Sequence, residues 1–146
     1  MRVFLDIGAH TGETLDEVLK DKYAFDRVVC FEPSETCLSN LNEYVKKDPR
    51  VEIHQIGLSN SSREETLFNP GALNGSIFSE DPNLEDQQES ITLVDAHTWY
   101  SENLEPSDFV VIKTNCEGSE VNIVDSFLNG GTFQNFYSLL ITFDSS

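Results

Sequence analysis

Two acids and a glycine-bracketed loop carry the groups best suited to binding chemistry. Asp6 follows the apolar run Val3-Phe4-Leu5, and Gly8 and Gly12 bracket Ala9-His10-Thr11 just after it. Glu32 and Pro33 close a second apolar run, Val28-Val29-Cys30-Phe31. Carboxylates at the ends of neighbouring strands can accept hydrogen bonds from paired hydroxyls or from an ammonium group. Each such charge-assisted bond is worth about 1.5–3 kcal/mol. The glycines let backbone approach a ligand closely, and a helix opening after Gly12 would present N–H groups to something polar or anionic. Each residue alone has a plainer reading. Asp6 caps the loop, and Glu32 is a surface acid ahead of a proline.

A third group follows Phe109-Val110-Val111-Ile112 and reads Lys113-Thr114-Asn115-Cys116-Glu117-Gly118-Ser119-Glu120. Acids in a first helical turn suit the helix dipole, so Glu117 and Glu120 serve either as helix starters or as one lip of a cleft. Of the three histidines, His10 lies inside the glycine loop and reads as a ligand contact. His54 alternates within a strand and reads as structural. His97, two residues after Asp95, is a general-base candidate provided it reaches the cleft. No Cys/His spacing matches a zinc signature, so no metal is expected.

The scaffold for these residues follows from the hydrophobic pattern. Short apolar runs at Val3–Leu5, Val28–Phe31, Val51–Ile56, Phe109–Lys113 and Leu139–Phe143 predict five strands. Helical spacing predicts a first helix over 14–20 (Leu15, Val18, Leu19). A second, capped by Ser34, buries Cys37, Leu38, Leu41 and Val45, and a third over 117–128 buries Val121, Val124 and Leu128. Strands alternating with helices predict an α/β, doubly wound, mostly parallel sheet of order 3-2-1-4-5 with helices on both faces. Gly57-Leu58-Ser59-Asn60 reads as a loop. Glu65–Phe68 and Ile91–Val94 read as a short added antiparallel ribbon, followed by a short helix around 99–103. The acid-rich stretch Glu80–Glu89 reads as an exposed loop near the cleft mouth. The whole is one domain spanning 1–146.

Charge narrows the partners. The chain has 26 acidic and 9 basic residues, a formal charge of −17, which disfavours nucleic acid and anionic lipid. No apolar run is long enough to span a membrane, and Val3–Leu5 already reads as core, so no signal peptide is expected. Three cysteines, Cys30, Cys37 and Cys116, read as reduced thiols of a cytoplasmic protein.

In a doubly wound sheet, ligands bind at the carboxyl ends of the strands, where Asp6 and Glu32 would meet. The Gly-x-x-x-Gly spacing departs from the dinucleotide fingerprint, which disfavours a nicotinamide oxidoreductase. It fits a nucleoside that carries an amino acid, such as S-adenosylmethionine.

Asp-Ile-Gly-Ala-His-Thr-Gly at 6–12, Phe31-Glu32-Pro33, the 57–60 segment and Lys113–Glu120 together resemble the FkbM-type family of S-adenosylmethionine-dependent methyltransferases. The resemblance runs from about 3 to 143 and implies a class I fold with methyl transfer, often to a hydroxyl of a sugar or small metabolite. It implies that Asp6, Gly8, Ala9, His10 and Gly12 line the methionine and ribose side, that Glu32 with Pro33 holds the ribose, and that Leu58 and Ser59 lie near the adenine. Asn115 and Glu117, with His97, become the candidates on the reacting side.

Two departures stand out. The family pattern Lys-x-Asp-x-Glu-Gly has Asn115 at its middle acid, and asparagine cannot take a proton at neutral pH. The full class I sheet has two further strands after the fifth, so strands 6 and 7 are expected to be absent, leaving an edge through which the chain could form a homo-oligomer. The rival reading is a non-catalytic module that binds S-adenosylmethionine or S-adenosylhomocysteine without turnover.

Overall fold

The computed structural model describes residues 1–68, 88–115, 120–131 and 138–141. The chain opens with β1 (Arg2–Ile7), α1 (Leu15–Val18), a 3-10 turn (Asp21–Tyr23) and β2 (Arg27–Phe31). A second 3-10 turn (Glu35–Cys37) runs into α2 (Leu38–Lys47), then β3 (Val51–His54). Next come β4 (Gly57–Ser59), β5 (Arg63–Phe68), β6 (Gln88–Asp95) and α3 (Ala96–Asn103). The described chain closes with β7 (Phe109–Thr114), α4 (Glu120–Gly130) and β8 (Ser138–Ile141).

Five of these strands form a parallel sheet ordered β3-β2-β1-β7-β8. This is the predicted 3-2-1-4-5 order, with β7 and β8 as fourth and fifth. Strands in such a sheet bury both faces, which is why their runs are apolar without alternation. On one face, Val3, Leu5, Ile7, Val29, Phe31, Val110 and Ile112 pack with Trp99 and Tyr100 of α3 and Ile123 and Phe127 of α4. On the other, Phe4, Val28, Cys30 and Val51 pack with Leu15, Val18 and Leu41 of α1 and α2. Among the described residues no helix is long and apolar enough to cross a membrane.

The added ribbon is present, with β5 antiparallel to β6 and Glu65 opposite Ile91. It is larger than expected, because the 57–60 segment is not a loop. Gly57–Ser59 forms β4 and pairs in parallel with Leu93–Asp95. A side chain at Gly57 would put its Cβ 2.5 Å from Leu93 Cδ2, so the glycine that suggested a turn is what lets this strand approach its neighbour.

Three helix assignments also shift. The helix after Gly12 spans only Leu15–Val18. Val45 is exposed, and Cys37 is buried within the 3-10 turn ahead of α2. In α4, Val121 and Leu128 are 65% and 63% exposed while Ile123, Ser126 and Phe127 are buried. Both stripes have helical spacing. The bulkier one won, because Phe127 meets Tyr100 edge-on with ring centroids 6.1 Å apart.

Candidate functional site

Register brings the sequence candidates to one end of the sheet. Asp6 is level with Cys30 on β2 and with Lys113 on β7, and Ile7 is level with Phe31 and Thr114. The carboxyl ends of β1, β2 and β7 therefore line up, and β1 is the strand from which the order runs outward both ways. Asn115 N–H donates to Ile7 O at 2.9 Å and extends that ladder by one rung.

The loop after β1 is strapped to β2. Gly8 and Ala9 N–H groups both donate to Phe31 O, at 2.9 and 3.1 Å. His10 adopts φ +51 and its N–H donates to Glu32 Oε1 at 2.8 Å. Gly12 N–H closes the turn onto Ala9 O at 2.9 Å. Gly12 is required here. Its φ is +96, and a Cβ would stand 2.7 Å from the Tyr44 ring. Four amides of the loop read as approaching a ligand are thus bonded within the protein, and the carboxylates become the groups that can meet one.

Asp6 is fully buried, and neither carboxylate oxygen has a hydrogen-bond partner among the described residues. Lys113 Nζ lies 3.7 Å from Oδ1, an ion-pair distance longer than a hydrogen bond. That ammonium is instead bonded to Thr14 Oγ1 at 2.5 Å. Burial pushes the Asp6 pKa up to about 6, with Lys113 opposing the rise. Asp6 is therefore mostly ionised at neutral pH, and short of partners.

Glu32 is the opposite case. It is buried too, yet Oε1 accepts from His10 N–H and Oε2 accepts from Ser34 N–H at 3.0 Å. Burial raises its pKa, and the Ser34 amide, the His10 charge and the His10 amide pull it back. A carboxylate offers about four acceptor positions, so two remain for a diol. His10 stands beside it, Nδ1 3.8 Å from Oε1, and its Nε2 is buried with no hydrogen-bond partner among the described residues.

The residues after Glu32 are held by one that the acid-rich reading missed. Glu89, on β6 and half-buried, accepts from Ser34 Oγ at 2.9 Å and Glu35 N–H at 2.7 Å. Ser34 thus makes no side-chain cap to the following helix. Nothing in the sequence marks Glu89 apart from its acidic neighbours. Of the stretch 80–89, residues 80–87 lie outside the described residues, as do Cys116, Glu117, Gly118 and Ser119.

The remaining candidates are placed as follows. Ala9 is buried among α1 and α2 side chains. Pro33 adjoins β4, its Cγ 3.6 Å from where a Gly57 Cβ would be. Leu58 packs in the core beside Phe31, and Ser59 Oγ accepts from Arg63 at 3.2 Å. His54 stacks on Phe31 at 5.6 Å and meets Trp99 edge-on, a structural role. His97 stands at the junction of α3 and α4. Its ring occupies the space a Gly130 side chain would need, and its N–H donates to Ser126 Oγ at 3.0 Å. Gly130 ends α4, and Glu120 at the helix start is the end that follows β7. His97 is therefore not brought together with Asp6 and Glu32. A groove between α1 and α2 contains Thr11, Asp16, Tyr44 and Lys47 but neither of those acids.

No protein-family model matches the chain, and no curated protein does. Among solved structures, the fold is similar to the methyltransferase FkbM from Methylobacillus flagellatus KT, with a TM-score of 0.59 and 18% sequence identity. The match covers 94% of this chain and 32% of that one, so the chain spans about a third of that protein's length. The likeness is one of fold, and it extends across nearly all of the chain described above.

Proposed function

We propose that this chain is an S-adenosylmethionine-dependent methyltransferase domain that acts on a hydroxyl of a sugar or small metabolite. One observation carries the reading. Asp6, buried and without a hydrogen bond among the described residues, lies on the strand next to the one that Glu32 follows, at the end of the sheet where doubly wound folds bind ligands. A buried ionised group without donors is costly, and a ligand that brings donors removes that cost. S-adenosylmethionine offers an ammonium group and a ribose diol, which complement two carboxylates. The similarity of fold to a methyltransferase supports the same choice.

In this reading Asp6, Gly8, Ala9, His10 and Gly12 line the methionine and ribose side. Glu32 and Pro33 hold the ribose, and Leu58 and Ser59 neighbour the adenine. The cofactor, when bound, supplies an electrophilic methyl group. The chain's own contribution is to bind, align and exclude water. Lys113 tethers the β7 tip to Thr14 in the first loop and favours the ionised form of Asp6. Asn115 can orient an acceptor hydroxyl but cannot remove its proton at neutral pH, so that proton goes to Glu117 or to solvent as the methyl is transferred.

Calorimetry with S-adenosylhomocysteine, beside a methyl-release assay on neutral and phosphorylated acceptors, tests the proposal. Binding with turnover, neutral acceptors being preferred by so acidic a chain, is the expected result. No binding overturns it. Binding without release on any acceptor favours the non-catalytic module, the reading that Asn115 supports.

A further inference from the structure

We propose that His10, Glu32 and Cys37 form a site for a soft divalent cation, zinc(II) foremost, whose occupancy closes the ribose position. The three residues come from the loop after β1, the end of β2 and the 3-10 turn ahead of α2. One donor atom from each lies within 4.8 Å of the others. Glu32 and Cys37 are buried and His10 nearly so, its side chain 12% exposed. This is not a solvated acidic patch.

The donor set selects the ion. Imidazole, thiolate and carboxylate suit zinc, whereas magnesium and calcium want oxygen ligands throughout. His10 Nδ1 already faces Glu32 Oε1 at 3.8 Å, and its Nε2 is buried with no hydrogen-bond partner among the described residues. Zinc–donor bonds of about 2.0–2.3 Å place tetrahedral ligands about 3.3–3.7 Å apart, so the donors close by roughly 1 Å on binding. Turning the Cys37 and His10 side chains supplies that movement. The thiol proton leaves to solvent as the thiolate binds, and a fourth position stays open to water. His10 and Ser34 amides already occupy part of the Glu32 carboxylate. A cation on Glu32 removes the acceptor positions that a diol needs. This second half rests on the nucleoside reading above, and the first half does not.

Cobalt(II) titration of the purified chain, followed by zinc displacement, provides the test. The expected result is a one-to-one complex with a thiolate-to-cobalt absorption band that zinc abolishes. Cys37→Ser should remove the band and weaken metal affinity about tenfold or more, with unchanged circular dichroism and S-adenosylhomocysteine affinity. Zinc should weaken S-adenosylhomocysteine binding in the parent chain and not in Cys37→Ser. With so many surface acids, diffuse cation binding is expected everywhere, and only the Cys37-dependent part counts. Cobalt binding without the band, or equal affinity in Cys37→Ser, overturns the site. A Cys37-dependent band with full S-adenosylhomocysteine affinity in saturating zinc overturns the exclusion. A Cys37-dependent band in a chain that binds no S-adenosylhomocysteine upholds the metal site and sinks the nucleoside reading.

Discussion

The tips of β1 and β2 end in buried carboxylates on adjacent strands, and the protein treats them in opposite ways. Glu32 receives two backbone N–H groups, from His10 and Ser34, and so ties the loop after β1 to the turn after β2. Asp6 receives none among the described residues and faces Lys113 across 3.7 Å. Both acids have raised pKa values for the same first reason, burial. The difference lies in what ionisation does. At Glu32 it strengthens hydrogen bonds that hold the site in shape. At Asp6 it leaves a charge that Lys113 and His10 offset only in part. Position along a strand and degree of burial are therefore insufficient to assign a role, and the supply of donors is what distinguishes the two acids.

Glu32→Ala should show the largest effect. It strands the buried Ser34 N–H and the part-buried His10 N–H, costing about 3 kcal/mol in urea unfolding at about 1–3 kcal/mol each. It should also weaken S-adenosylhomocysteine about tenfold or more. A stable variant with intact affinity would remove Glu32 from both roles.

Asp6 supplies the next test, through pH. Its folded pKa of about 6 stands above the ordinary 3.8, so the folded chain keeps a proton that the unfolded chain releases. Its contribution to stability is greatest below pH ~4, declines as pH rises to ~6 and then levels, a change on the order of 3 kcal/mol. Thermal melts of the parent chain and Asp6→Asn across this range should differ by that decline. Parallel curves would mean Asp6 titrates normally. Lys113→Met removes a charge that opposes the shift, and should extend the decline to higher pH and deepen it, its onset near pH ~4 unchanged.

Gly12→Ala forces a side chain into φ +96 against the Tyr44 ring, and should cost about 2 kcal/mol. A neutral outcome would mean the loop relaxes freely, and the strap to Glu32 matters less than its hydrogen bonds suggest. Glu89→Ala should have the smallest effect, about 1 kcal/mol, since it frees only the partly exposed Ser34–Glu35 turn. Hydrogen exchange at Glu35 would report it directly, and unchanged protection there would deny Glu89 a share in the site.

Much of this was legible in the residues. The unalternating runs around Val3, Val28 and Val110 carry the sheet and its order, because strands covered on both faces leave a continuous apolar record. Asp6 and Glu32 were legible as acids at one end of the sheet because they end such runs. The exposed faces were less so. Val121-Val124-Leu128 and Ile123-Phe127 are both helical stripes, and periodicity cannot say which one meets Tyr100. Gly57 reads as a turn residue, since sequence does not reveal the approach of Leu93.

The sequence by itself determined the five strands of the parallel sheet, their order and the end of that sheet where acids gather, because local apolar pattern and chain connectivity suffice for that. Only the tertiary structure decided that Glu32 is braced and Asp6 is not. The bonds involved join residues 22 apart in the case of His10 and Glu32, and 99 apart in the case of Lys113 and Thr14. The same holds for His10, Glu32 and Cys37, three donors with no metal-binding spacing that come together only when strands and turns converge. Hydrogen bonds and coordination depend on distance in space, and the sequence records only distance along the chain.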